Sequence, residues 1–174
     1  MPVRRLNVDH VAAYRALHRY GLQESPDSFV ETLENDAARP DATIAAMLAR
    51  GEGWGMFEGE RLVGKLVLDA LPYACLGHVR WVHAVYLHPD ARGKGAGRSL
   101  MMAAMTAACA EGATRFALWV NERNGPARTL YGRLGFRETG RIPGGIMVAG
   151  GPADDVLMTL DVASAPLDGS RIPS

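Results

Sequence analysis

Between residues 92 and 98 the chain reads Arg-Gly-Lys-Gly-Ala-Gly-Arg, which is three cations and three glycines with no carboxylate. Glycines at 93, 95 and 97 leave the backbone without Cβ atoms, so a bulky anion can approach its N–H groups. The preceding residues, 79–88, are rich in Val and Trp and predict a strand that must stop at Pro89-Asp90, because proline has no backbone donor. Behind the glycines, Leu100, Met101, Ala104, Met105 and Ala108 recur at helical spacing and predict a helix ending near Gly112. A glycine-rich turn that opens a helix adds the positive end of the helix dipole to Arg92, Lys94 and Arg98. Residue type and spacing therefore suggest a cradle for a pyrophosphate-like anion. Taken alone, the stretch also fits a strand-to-helix turn whose glycines merely satisfy backbone geometry. The P-loop order G-x-x-x-x-G-K-S/T is absent. A dinucleotide fingerprint is disfavoured, since arginine stands at 98 and no acidic residue closes the next strand at Val120 or Asn121.

The elements that would position this loop belong to a chain of 174 residues with 19 Lys plus Arg, 19 Asp plus Glu and 48% apolar residues. Such a chain suits one globular domain, expected over residues 1–162, followed by a Ser-, Pro- and Gly-bearing tail at 163–174 expected to fray. Charge balance speaks against the broad positive field needed for nucleic-acid or membrane-surface binding. The most apolar stretch, 101–110, is half a membrane span. Neither nucleic acid nor membrane is an expected partner. Cys75 and Cys109 lie outside any C-x-x-C spacing and are expected to be reduced, in a cytoplasmic protein.

Ahead of the loop, residues 3–6 predict a short strand, and Asp9 is expected to cap a helix carrying Val11, Tyr14, Leu17 and Leu22. A second helix is expected near Ser28 or Phe29, and a third over 43–49 ends at Arg50-Gly51. Residues 54–58 and 61–71, around Gly59-Glu60, predict a hairpin. Later come a strand at 115–120 and a helix opened by Pro126 that carries Leu130, Tyr131 and Leu134 to Gly135. Strand segments follow at 136–139, 146–148 and 156–162. Hairpins first and helix–strand alternation later predict a mixed α/β (α+β) sheet.

Two blocks then resemble one family. Arg92 to Gly97 resembles the R/Q-x-x-G-x-G/A acetyl-CoA signature of the GNAT superfamily of N-acetyltransferases. Asn121 through Asn124, Ala127, Leu130-Tyr131 and Leu134-Gly135-Phe136 resemble its N-x-x-A-x-x-x-Y-x-x-x-G-F stretch, in the same order. The likeness spans residues 6–160 and is strongest over 79–136. It implies a central, mostly antiparallel sheet with splayed middle strands flanked by helices. It also implies direct transfer of the acetyl group of acetyl-CoA, the cosubstrate, to a primary amine of a small molecule or peptide. On the same likeness, main-chain groups of Val85, Tyr86 and Leu87 would pair with the pantetheine arm, one N–H polarising the thioester oxygen. Arg92, Gly93, Lys94, Gly95, Ala96, Gly97 and Arg98 would hold the pyrophosphate, and Tyr131 would protonate the departing thiolate. Asn124, two helical turns before Tyr131, either lines the cofactor or caps the helix. A non-catalytic acyl-CoA-binding regulatory module is the alternative, and the assembly is a monomer or homodimer.

His83 is the candidate base. It shares strand parity with Val85 and Leu87 and is similar in position to a strand histidine of arylalkylamine acetyltransferases, although a structural role fits it equally. No metal site is expected. His83 and His88 face opposite sides of one strand, and ten residues of strand would set His78 roughly 33 Å from His88. His10 and His18 are expected to face solvent, and Trp54 and Trp119 to sit in the core. Methionines 101, 102 and 105 are expected to pack on the sheet. Glu24, Asp27 and Glu31 form an acidic face around Pro26 and Phe29 that is either simply solvated or suited to a cationic amine.

Overall fold

The computed structural model describes residues 1–162, and the expected tail at 163–174 lies outside the described residues. Seven strands form one sheet in the order β1-β2-β3-β4-β5-β7-β6. They are β1 (Val3–Arg5), β2 (Gly53–Glu58), β3 (Arg61–Asp69), β4 (Val79–Leu87), β5 (Arg115–Asn121), β6 (Arg137–Val148) and β7 (Gly151–Asp161). The helices are α1 (Val11–Glu24), α2 (Leu33–Ala38), α3 (Asp41–Ala49), α4 (Ala96–Ala110) and α5 (Gly125–Arg133). The β1–β2, β2–β3, β5–β7 and β6–β7 pairings are antiparallel, whereas β4–β5 is parallel. The predicted class, a mixed and mostly antiparallel sheet flanked by helices, is the one observed. Contacts divide the chain into two compact units, Met1–Asp69 with Val82–Ala104, and Ala70–Trp81 with the described residues from Met105 onward. The chain passes between them at the end of β3, inside β4 and again inside α4.

In the first unit, Leu6, Tyr14, Leu17, Ile44, Leu48, Phe57, Leu62, Val67 and Tyr86 form the core. The spacing of Tyr14, Leu17 and Leu22 on α1 buries these residues as predicted. Its start differs. The side chain of Asn7, not Asp9, caps a single 3-10 turn at Val8–His10 by accepting the Asp9 N–H, and α1 grows from that turn. Gly21 sits inside α1 because a Cβ there would lie 2.9 Å from the Phe29 ring and 3.1 Å from that of Tyr86. The helix expected near Ser28 begins at Leu33. Pro26–Ser28 makes only one 3-10 turn, and Thr32 supplies the cap, its Oγ1 accepting the Asn35 N–H at 3.2 Å.

Asp36 of α2 is fully buried, and two arginines of α1 reach it: Arg19 Nε at 2.6 Å and Arg15 Nη1 at 3.4 Å. Arg15 also donates to the carbonyls of Asp36 and Arg39 and to Asp41 Oδ1 of α3. One guanidinium fork thus ties three helices together.

In the second unit, Val79–Trp81 of β4 pair with Arg115–Ala117 of β5. Along β5, Phe116, Leu118 and Val120 are buried, but Trp119 lies on the other face and is 40% exposed, so it is not the core residue expected. The strand segments expected at 136–139 and 146–148 are one strand, β6, with register shifts against β7 between Glu138 and Gly140 and between Ile142 and Ile146. Met101 and Met105 of α4 are fully buried. Cys75 and Cys109 are free thiols. Among the described residues, no helix is long and apolar enough to cross a membrane.

Burial opposes ionisation of Asp36, yet the Arg19 hydrogen bond and the Arg15 charge hold its pKa below the ordinary 3.8. Asp36→Ala is therefore expected to cost about 3–5 kcal/mol at pH 7, read from urea unfolding. A carboxylate with a depressed pKa stabilises above its unfolded value, so the difference should shrink as the pH falls through the folded value. An unchanged urea midpoint at pH 7 would contradict the clamp.

Candidate active site

The glycine-rich loop adopts a conformation that few sequences permit. Gly93 (φ 76°), Lys94 (φ 49°) and Gly95 (φ 75°) are three successive residues in the left-handed region. No atom lies within 4 Å of a Cβ built at Gly93 or Gly95, so backbone conformation, not crowding, demands glycine, and the space above the loop is open. Successive N–H groups in such a turn form an anion-binding concavity, here running into the first turn of α4, where the Ala96 N–H, expected to bind the anion, is instead bonded to the Gly93 carbonyl oxygen at 3.1 Å and the Ser99 N–H to that of Gly95 at 2.9 Å. Lys94 and Arg98 are exposed beside it.

Arg92 has a different task from the one its position suggests. It grips Glu24 of α1 through two bonds, of 3.0 and 2.6 Å, and donates Nε to the Leu87 carbonyl at 3.1 Å. Its charge is matched from 68 residues away, and it braces the loop against α1 and the end of β4. Hydrogen bonds from Arg92, then from Ser25, hold the Glu24 pKa down at about 2, so the brace is ionised at any physiological pH. Tyr86 donates to the same carboxylate at 3.0 Å, and burial, aided by Glu24, pushes its phenol up to about 12. Glu24 thus leaves the acidic face expected of Glu24, Asp27 and Glu31.

Inside β4, Ala84 has φ 51°, a left-handed residue in the middle of a strand. The alternation that would place His83 on the face of Val85 and Leu87 breaks there, and His83 and Ala84, though consecutive, line one cavity. This cavity, of about 200 Å³, lies wholly within the first unit. Tyr14, His18, Glu31 and Arg39 form its polar side, and Ile44, Met47 and Val67 its apolar wall. His83 is open to solvent, but the surrounding protein disfavours its charged form and lowers its pKa. His18 is buried rather than solvent-facing, with Nε2 at 2.8 Å from Glu31 Oε2, and Arg39 also pairs with Glu31. Burial, then the Lys65 charge, lowers the His18 pKa.

His18, Glu31 and Asp36 bring one ligand atom each within 4.8 Å of one another, a grouping that histidine spacing alone does not reveal. Arg15, Arg19 and Arg39 already match its two carboxylates, which is poor chemistry for a divalent cation. The sequence reading also missed Lys65. It is completely buried on β3, with Nζ 3.0 Å from the Ala84 carbonyl oxygen and 4.6 Å from the centre of the Tyr14 ring. The available signal was a lysine in the middle of an otherwise apolar strand.

In the second unit, Asn124 caps α5 by accepting the Ala127 N–H at 3.1 Å, which realises one of its two open roles. Tyr131 is buried on α5 with Phe136 against it, ring centres 5.9 Å apart. Burial pushes its phenol up to about 12, so it stays protonated at neutral pH, as a general acid requires.

A strand interrupted by one left-handed residue, a glycine turn lined with N–H groups and a following helix have chemistry that suits a phosphate-bearing cosubstrate. Comparison with known proteins makes the class specific. Residues 12–136 match the model of the acetyltransferase (GNAT) family. An aminoglycoside N(6')-acetyltransferase type 1 of Klebsiella aerogenes is 31% identical over 123 residues, covering 69% of this chain and 75% of that protein. A GNAT-family acetyltransferase of Streptococcus pneumoniae superposes with TM-score 0.80 at 20% identity, over 92% of this chain and 98% of that one. YncA of Salmonella typhimurium, a putative acetyltransferase solved with its cofactor acetyl-CoA, superposes with TM-score 0.78 at 19% identity, over 100% and 98%. The chain belongs to the GNAT family and is an acetyl-CoA-dependent N-acetyltransferase.

Gly95→Asp would force a side chain into a left-handed position and set a carboxylate in the cradle. Calorimetric titration of this variant with acetyl-CoA should show no binding, and wild-type affinity would overturn the cradle assignment.

Proposed function

We propose that the enzyme acetylates a small primary amine, held in the cavity of the first unit, by direct attack within a ternary complex. The observation that carries this reading is the left-handed run Gly93-Lys94-Gly95 just before α4, in the turn that follows β4 and its left-handed Ala84. Acetyl-CoA supplies the acetyl group. The N–H groups of Gly93, Lys94, Gly95 and Gly97, with the side chains of Lys94 and Arg98, hold its pyrophosphate, while Arg92 keeps the loop in shape and the Ala96 N–H closes the turn on the Gly93 carbonyl. Main-chain groups of Val85, Tyr86 and Leu87 hold the pantetheine arm.

An ammonium cannot attack, so the acceptor must lose a proton. His83 lines the cavity, and its lowered pKa supports a neutral ring that takes this proton directly or through water. As the amine nitrogen bonds the acetyl carbon and the carbon–sulfur bond breaks, Tyr131 gives its proton to the leaving thiolate. The residue match within the family's second motif supports that role, and the phenol is protonated at neutral pH.

The cavity favours a small acceptor. Its volume of about 200 Å³ falls below the ~300–1,000 Å³ typical of drug-sized ligands. Glu31, its carboxylate, is already taken by His18 and Arg39. Both facts favour a compact monoamine over a multi-ring polycation of the kind named for the Klebsiella relative. We place the enzyme in the cytoplasm, a reading supported by its two free thiols.

Thiol release from acetyl-CoA, measured against a panel of amines, tests the proposal. Small primary amines should drive release at least tenfold faster than an aminoglycoside at equal concentration. Release with aminoglycosides alone would contradict the acceptor, and bound acetyl-CoA with no release on any amine would contradict the reaction. Tyr131→Phe should bind acetyl-CoA normally and lose about 100-fold in kcat. Wild-type turnover in that variant would remove Tyr131 from the mechanism.

A further inference from the structure

Lys65 occupies a position where a core needs an aliphatic side chain. On β3 it lies on the same face as Val67, and both are essentially inaccessible to solvent. Burying a lysine is unfavourable unless a partner compensates, and the usual partner is a carboxylate. Here Nζ reaches a backbone carbonyl, Ala84 O at 3.0 Å, with the rings of Tyr14 and Phe29 at 4.6 and 5.8 Å. A side chain whose worth lay in stability alone would be better replaced by methionine or leucine.

The carbonyl it chooses belongs to the one strained residue of β4. Ala84 has φ 51°, a conformation that a residue with a Cβ adopts only when its surroundings enforce it. The bond from Lys65 holds the peptide that follows. A trans peptide is planar, so the Ala84 C=O and the Val85 N–H point in opposite directions along one rigid plate. Whatever fixes the carbonyl toward β3 aims the Val85 N–H the other way. Donation to the carbonyl also draws electron density across the amide and strengthens its N–H as a donor.

We infer that Lys65 is a positioning residue for catalysis, fixing and polarising the 84–85 peptide so that the Val85 N–H serves as the donor to the thioester oxygen. This rests on the proposed function, in which a β4 N–H polarises that oxygen. Burial lowers the Lys65 pKa to about 7, and Nζ keeps an N–H to donate in either protonation state. The acceptor cavity, lined by the neighbouring His83 and Ala84, adjoins the same peptide.

The test compares wild type with Lys65→Met and Lys65→Gln, reading kcat, the KM for acetyl-CoA, the Kd for CoA, and the infrared carbonyl stretch of bound carbonyl-13C-labelled acetyl-CoA. Losing an oxyanion donor costs about 10²–10³ in kcat, and a misaligned donor should cost Lys65→Met at least tenfold. The KM and the CoA Kd should stay within twofold, because the cradle is untouched. The stretch should lie below its solution frequency in wild type and move back toward it in Lys65→Met. Lys65→Gln, which keeps an N–H donor, should recover part of both. Wild-type kcat in Lys65→Met, or a lowered kcat with the wild-type stretch, would overturn the inference, the latter showing a packing role only. A wild-type stretch at the solution frequency would overturn it even if Lys65→Met fails to fold. Wild type that binds no acetyl-CoA would instead overturn the functional reading as well.

Discussion

The enzyme depends on backbone held where side chains rarely allow it. Among the described residues, Ala84 and Lys94 are the non-glycine residues with positive φ, and they lie ten residues apart, one inside β4 and one in the turn that leads to α4. Each conformation costs roughly 1–2 kcal/mol against an ordinary one and persists only if the surroundings over-determine it. The surroundings here are specific. Glycines flank Lys94, Arg92 and Glu24 brace the turn against α1, and Lys65 bonds the Ala84 carbonyl. Strain of this kind is expected where N–H groups must be presented to a ligand instead of to a neighbouring strand.

Buried charge in the first unit serves the same end by fixing walls. Arg15 joins α1, α2 and α3 through Asp36, Arg39 and Asp41, while Arg39 and His18 share Glu31 at the cavity. Buried ion pairs add little net stability compared with a well-packed apolar replacement, but they define one arrangement of the helices that carry them. A cavity of about 200 Å³ between α1, α3 and β4 therefore has a set shape and a set charge before any ligand enters.

The parts of this architecture legible in the sequence are those encoded locally. Three spaced glycines announce the loop, Pro89 ends β4 and Pro126 opens α5, and the turn at Gly59-Glu60 marks the β2–β3 hairpin. Two ordered motifs named the family. What escaped depends on partners far apart in the chain. Arg92 reads as a phosphate ligand until Glu24 meets it, and His18 reads as a surface histidine until Glu31, 13 residues on, folds over it. Asn7 outcompetes Asp9 as a cap because a 3-10 turn precedes α1, a detail that propensity does not encode. The strand parity of His83 failed for a related reason: a single left-handed residue in β4 shifts the side-chain alternation, and an alanine gives no warning of it.

The central claim is that main-chain N–H groups of β4 and of the glycine turn, with Lys94 and Arg98 beside them, recognise acetyl-CoA. Amide chemical shifts followed by NMR through an acetyl-CoA titration test it most directly. The account predicts that the N–H signals of Val85, Gly93, Lys94, Gly95 and Gly97 show the largest changes and saturate together with binding. Saturable binding that leaves those amides unmoved would contradict it.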